Sequence, residues 1–179
     1  MKQLLIILCL FSSLLTYAQV TKSKNASFNL REVAMLSIEP NNNAVILNLN
    51  APKEAGERAQ VTSTNNYKWI NFTSAIGQNA SKRNLSIKIQ YGNVPTGVHL
   101  KVSTSNYSGN GMGVLGSPTS SITLNKTSQT IVSNIGGAYT GTGTNNGYKL
   151  TYNLEVYDYK LLDFDNSETL TISLTLTDY

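Results

Sequence analysis

Between residues 45 and 176 the chain returns repeatedly to a two-residue alternation of apolar and polar side chains, a period that few folds can use. Val45, Leu47 and Leu49 alternate with Ile46 and Asn48, and Leu85, Ile87 and Ile89 with Ser86, Lys88 and Gln90. Val98, Leu100 and Val102 alternate with His99 and Lys101, and Leu170, Ile172, Leu174 and Leu176 with Thr171, Ser173 and Thr175. The longest run sets Tyr148, Leu150, Tyr152, Leu154 and Val156 against Lys149, Thr151, Asn153 and Glu155. Successive strand side chains point to opposite faces, so each run offers one face to a core and the other to water, as in antiparallel sheets. Beyond residue 20 no segment sustains the 3.6-residue apolar period of a helix for three turns. Less regular strands are expected over residues 28–30, 33–38, 67–72, 122–124 and 130–135. In 33–38 nearly every side chain is apolar, which predicts burial on both faces or a subunit contact.

Composition agrees with strands. Asn, Ser and Thr make 59 of 179 residues and charged residues only 13%, a mixture that disfavours helix and suits pleated strands joined by polar turns. Turn chemistry falls at residues 40–43, 51–52 and 92–97, and Asn146-Gly147 just before the longest run predicts a hairpin. Residues 105–121 and 136–147 read as long flexible surface loops. Nothing resembles a domain-separating linker. The expected architecture is all-β: a single antiparallel β-sandwich of Ig-like or Greek-key type over residues 19–179.

Residues 1–18 read differently. Lys2 is followed by an apolar run from Leu4 to Leu15, interrupted by Ser12 and Ser13, and then by Thr16-Tyr17-Ala18-Gln19. This is the pattern of a secretory signal peptide cleaved after Ala18. The apolar run falls short of the roughly 18 residues that span a bilayer. Cys9, the only cysteine, lies inside it, so a lipid has no attachment site and the exported domain has no disulfide and no thiolate. About 160 residues still bury roughly 70% of the unfolded chain's surface. An outer-membrane barrel also suits length and alternation, but counting back by twos from Tyr179 gives Thr177, Thr175, Ser173 and Thr171, all polar, where lipid-facing residues should stand. The expected location is therefore the periplasm, cell surface or medium, with no membrane span after cleavage.

No catalytic, cofactor-binding or metal-ligating set emerges. Gly111-Met112-Gly113-Val114-Leu115-Gly116 matches the G-x-G-x-x-G dinucleotide pattern, but Ser117-Pro118-Thr119-Ser120 follows where a helix must start. His99 is the only histidine and falls on a strand's polar face. Asp163, Asp165, Asn166 and Glu168 form an acidic cluster without the EF-hand spacing, read as a solvated loop with calcium as the alternative. The six N-x-[ST] triplets carry no weight in so Asn- and Ser-rich a chain. The net charge of +4 is scattered, with Lys82-Arg83 the only adjacent basic pair, so nucleic acid is not an expected partner. Trp69 and the tyrosines offer ring faces for sugars. Tyr148 and Tyr152 share a face with leucines and read as core, while Tyr107, Tyr139 and Tyr157 read as exposed.

Four stretches, Val33–Pro40, Lys68–Ala75, Gly92–Gly97 and Thr169–Tyr179, resemble a group of uncharacterised exported β-rich proteins of gliding and environmental Bacteroidota, a resemblance that implies a compartment and no activity. More loosely, Ala138-Tyr139-Thr140-Gly141-Thr142-Gly143 followed by a Thr/Leu-alternating last strand is similar to the end of spore-coat-U-type fimbrial subunits. Chaperone–usher subunits usually carry a penultimate Tyr, and Asp178 stands there in this chain, so the likeness extends to fold rather than assembly. The resulting expectation is a secreted or surface β-sandwich without catalysis, structural or adhesive in role, including that of a fibre subunit. Ala26, Phe28 and Leu30 would complete a neighbour's sheet by strand addition. The alternative is a carbohydrate- or ligand-binding module using Tyr107 and Tyr139 on the two long loops. Expected partners are a second copy, other surface proteins or glycans.

Overall fold

The computed structural model describes residues 22–163 and 167–178. The expected signal peptide, Asp165 and Asn166 of the acidic cluster, and Tyr179 lie outside the described residues. The chain divides into units 1–30 and 31–179. In the first, residues 22–30 are exposed and form no helix or strand, so the strand expected over 28–30 is absent. Nothing apolar covers Phe28 or Leu30, and an isolated three-residue alternation has no ladder to join.

Among its described residues the second unit is all-β, with one short 3-10 turn at Tyr159–Leu161. Its strands are β1 (Val33–Glu39), β2 (Ile46–Asn50), β3 (Gln60–Thr64), β4 (Tyr67–Ala75), β5 (Arg83–Tyr91), β6 (Val98–Thr104) and β7 (Met112–Gly113). They continue with β8 (Ser117–Pro118), β9 (Ser121–Thr123), β10 (Gln129–Ile135), β11 (Ala138–Tyr139), β12 (Tyr148–Val156) and β13 (Thr171–Asp178). Every pairing is antiparallel. One sheet has seven strands in the order β7-β11-β4-β12-β6-β9, with β1 on the other edge of β4. A second runs β13-β5-β10-β8, and β2-β3 form a two-stranded hairpin. From β4 onward the chain passes repeatedly from one large sheet to the other.

Alternation decides which faces meet. Ile70, Phe72, Leu100, Val102, Tyr148 and Leu150 of the seven-stranded sheet share one buried cluster with Leu85, Ile87, Ile89, Ile131, Val132 and Ile135 of the four-stranded sheet. Arg83 is buried at one corner of this core. Its Nε donates to Asp178 Oδ1 at 2.7 Å, and its Nη1 donates to the carbonyls of Val33 and Ala75 and to Ser74 Oγ. It thereby ties β1, β4 and β13 to β5. Lys68, also buried, donates its Nζ to the carbonyls of Pro40 and Asn43 and closes the turn after β1.

Several expectations are corrected. β1 is not buried on both faces: Leu36 and Ile38 pack on the core, whereas Met35 is 64% exposed. The stretches 105–121 and 136–147 contain β7, β8 and β11 and are held by a ladder rather than free. Asn146-Gly147 makes no hairpin either. Ala138 and Tyr139 pair with Ser74 and Thr73, Thr140 N donates to Phe72 O at 3.0 Å, and Tyr148 then pairs with Ile70. β11 and β12 are thus one strand along β4, with residues 141–146 extruded from it. Gly147 re-enters at φ 87°, and a Cβ there would lie 1.9 Å from Ile70 O, so only glycine closes this loop. The G-x-G-x-x-G run also has a backbone reason. Gly113 sits in β7 at φ 100°, and a Cβ there would lie 2.1 Å from Gly137 O.

Candidate functional site

A large concavity lies on the outer face of the seven-stranded sheet, where β3 of the β2-β3 hairpin and the residues before it border β6 and β12. It is a groove of about 1240 Å3. The register builds its floor. Ser121, Ser103 and Thr151 form one row across β9, β6 and β12, and Lys101 and Asn153 form the next. These are the polar halves of the alternating runs, so they point away from the core by the same geometry that buries Val102, Leu150 and Tyr152. Lys101 Nζ and Glu155 Oε2 pair at 3.2 Å across the two strands. The roof is Glu57–Val61. It is fixed to one end wall where Ala59 N donates to Tyr159 Oη at 2.9 Å, leaving the Tyr159 side chain about half exposed.

Two properties set the chemistry of the groove. Its charged residues are Glu57, Arg58, Lys101 and Glu155, two of each sign, so it selects neither anions nor cations by net charge. Meanwhile the side chains of Gln60, Ser121, Thr151 and Asn153 hydrogen-bond to nothing among the described residues. Hydroxyls and amides are left with both donor and acceptor capacity in a walled space.

The two loop tyrosines are brought near each other and take different roles. Tyr107 is half-buried, meets Tyr148 edge to face at a centroid distance of 5.9 Å, and donates its hydroxyl to Thr140 O at 3.0 Å. It fastens the 106–111 loop to the extruded 141–146 loop, as does Asn110 N donating to Asn146 Oδ1. Tyr148 donates to Leu115 O and Gly116 O, and burial, with the neighbouring Tyr107 second, pushes its pKa up to about 12. Tyr139 stays 46% exposed. Trp69 is buried and offers no sugar platform. His99 stacks on Tyr157 with centroids 4.2 Å apart.

Tyr139 belongs instead to an apolar row. Met35, Thr73, Tyr139 and Met112 are register neighbours on β1, β4, β11 and β7, and all four are exposed on one sheet face. At the N-terminal segment Phe28 is 89% and Leu30 96% exposed, and Ala26 is exposed too. Among the described residues no three His, Cys, Asp or Glu side chains form a metal-holding set, and no helix is long and apolar enough to cross a membrane.

Sequence reasoning missed the groove. Lys101, Thr151, Asn153 and Glu155 appear in the alternating runs only as a face turned to water. The available signal was the row of short hydroxyls, Ser103, Ser121 and Thr151, with Asn153 beside it, set among charges of both signs.

The fold and the groove define a class no narrower than an all-β protein of packed antiparallel sheets with a polar surface cleft. No protein-family model matches the chain, and neither do any curated protein or solved structure.

Proposed function

We propose that the protein is an exported β-sandwich of Ig-like or Greek-key type, secreted or held at the cell surface, with a structural or adhesive role and the capacity to form fibres. On this reading a signal peptide over residues 1–18 directs export and the mature chain begins at Gln19. Catalysis forms no part of it.

The observation that carries the proposal is the segment holding Ala26, Phe28 and Leu30: an apolar alternation fit for one sheet face, yet exposed and in no sheet. A ready acceptor edge accompanies it. Among the described residues β13 pairs only with β5, and its sequence Thr171-Ile172-Ser173-Leu174-Thr175-Leu176-Thr177 has no Pro, Lys or inward charge to guard the other edge. Adding a strand to such an edge satisfies backbone groups on both partners and seats alternate side chains on the core. The apolar row through Met35, Tyr139 and Met112 adds a second surface suited to self-association.

Deleting residues 20–31 should abolish assembly and leave a folded monomer. The measurement is size-exclusion chromatography with light scattering on the full mature protein and the truncated form. Two monomers would refute strand exchange.

A further inference from the structure

We infer that the groove between the β2-β3 hairpin and the outer face of β6 and β12 binds a neutral oligosaccharide. The argument begins with what a β-sheet does with an outer face under a hairpin. A purely structural hairpin would exclude water by packing apolar side chains onto the sheet. Here Val45 and Leu47 do pack onto the core, but beside them a space of about 1240 Å3 is left. It exceeds the usual volume of a small-molecule pocket, roughly 300–1,000 Å3, and is open as a groove, so it suits a chain of sugar units better than a single small molecule.

The lining selects the chemistry. Neighbouring strands are about 4.8 Å apart, so Ser121, Ser103 and Thr151 present a row of hydroxyls spanning about 10 Å, with Asn153 beside it. Vicinal sugar hydroxyls both donate and accept, as hydroxyl and amide side chains do. Charges of opposite sign balance within the lining, which removes the driving force for a phosphate, sulfate or polyamine. Tyr159 supplies a half-exposed aromatic side chain at one end, held in place through its own hydroxyl, against which a sugar C–H face can lie. An extended peptide would pair with a strand edge and seat alternate side chains in apolar pockets, whereas the floor meets the groove with the faces of β6 and β12, through hydroxyls, an amide and an ion pair.

This gives the adhesive reading its ligand, and it rests on that reading only for where the glycan is met. The site also differs from the loop surface around Tyr107 and Tyr139.

The test is affinity electrophoresis of the purified mature protein through gels containing laminarin, xylan, mannan, dextran or dextran sulfate, followed by calorimetric titration with the matching oligosaccharide. Retardation by at least one neutral polysaccharide is expected. Asn153→Ala should weaken it roughly tenfold, the loss of one or two hydrogen bonds. Ser103→Trp, which fills the groove, should abolish it, and Tyr139→Ala should leave it unchanged. Thermal melts identify any variant that fails to fold, and the exposed Asn153→Ala keeps the test decisive if Ser103→Trp does. Unchanged migration in every neutral gel overturns the inference. So does retention only by dextran sulfate that high salt reverses, retention insensitive to Asn153→Ala, or retention lost on Tyr139→Ala. A protein that binds a neutral polysaccharide but stays monomeric keeps this inference and loses strand exchange. Assembly without binding does the reverse.

Discussion

Arg83 concentrates more bonds than any other side chain in the core region. Its guanidinium is about 95% buried and reaches three strands besides its own, so its value depends on a planar fork that lysine cannot reproduce. Arg83→Met leaves the Val33 and Ala75 carbonyls without their donor, and the expected loss is about 3 kcal/mol in urea unfolding. Arg83→Lys should lose more than half as much. Lys101→Met, which breaks an exposed pair, should stay within about 1 kcal/mol. Equal losses at the two sites would mean that burial is not what gives Arg83 its weight. Tyr148 and Tyr152 make a second case. Burial raises both phenols from 10.0 to about 12. The folded state therefore favours the protonated form, and the stability tied to it is complete below pH 10 and lost as pH rises through 12. Melting temperature should hold up to about pH 10 and then fall. In Tyr152→Phe part of that fall should disappear. Tyr148→Phe should flatten it likewise, from a starting point about 1 kcal/mol lower, because two hydroxyl contacts to carbonyls go with it. If wild type and both variants decline in parallel between pH 10 and 12, these phenols do not control alkaline stability.

Among the elements, those legible in the sequence are the ones whose two faces meet different media. β5, β6, β12 and β13 each bury one face and wet the other, so hydrophobic period and structure coincide. β3 was illegible because Val61 is the one apolar residue in Gln60–Thr64: of the two hairpin strands it is β2, through Leu47, that packs on the core. Asn146-Gly147 misled for another reason. The dipeptide encodes a positive φ, and a hairpin and the closure of an extruded loop both need one. Only the register along β4 separates them. That register gives a prediction. Thr140 bonds to Phe72 and Tyr148 pairs with Ile70, so removing residues 141–146 places Tyr148 two positions after Thr140, where a continuous ladder needs it. Six is even, so every later side chain keeps its face. The shortened protein should fold with a loss under about 2 kcal/mol, seen as a fall of roughly 4–8 °C in melting temperature. Removing five residues, 141–145, should abolish the cooperative melt by sending Leu150 and Tyr152 outward. Similar melts for the two deletions would show that β11 and β12 are independent strands.

For the molecule as a whole, stability has to come from one core shared by two sheets, because nothing covalent supports it. The described residues contain no cysteine, and Cys9 belongs to the proposed signal peptide. The groove and the exposed rows lie on faces that this core does not need, which leaves them free for partners. Export and stability are linked here, and one experiment reads both. Expressed from residue 1 in a Gram-negative host, the chain should be recovered outside the cytoplasm with an intact mass that begins at Gln19. That species should melt at the same temperature with and without dithiothreitol, since neither a disulfide nor a free thiol remains to respond. A mass retaining Met1 in the exported fraction would place Cys9 in the finished protein and remove the reading of residues 1–18 as a cleaved signal. Retention in the cytoplasm with a full-length mass would remove export itself, while the core, its Arg83 corner and the groove would stand unchanged, because every residue that builds them lies beyond Arg31.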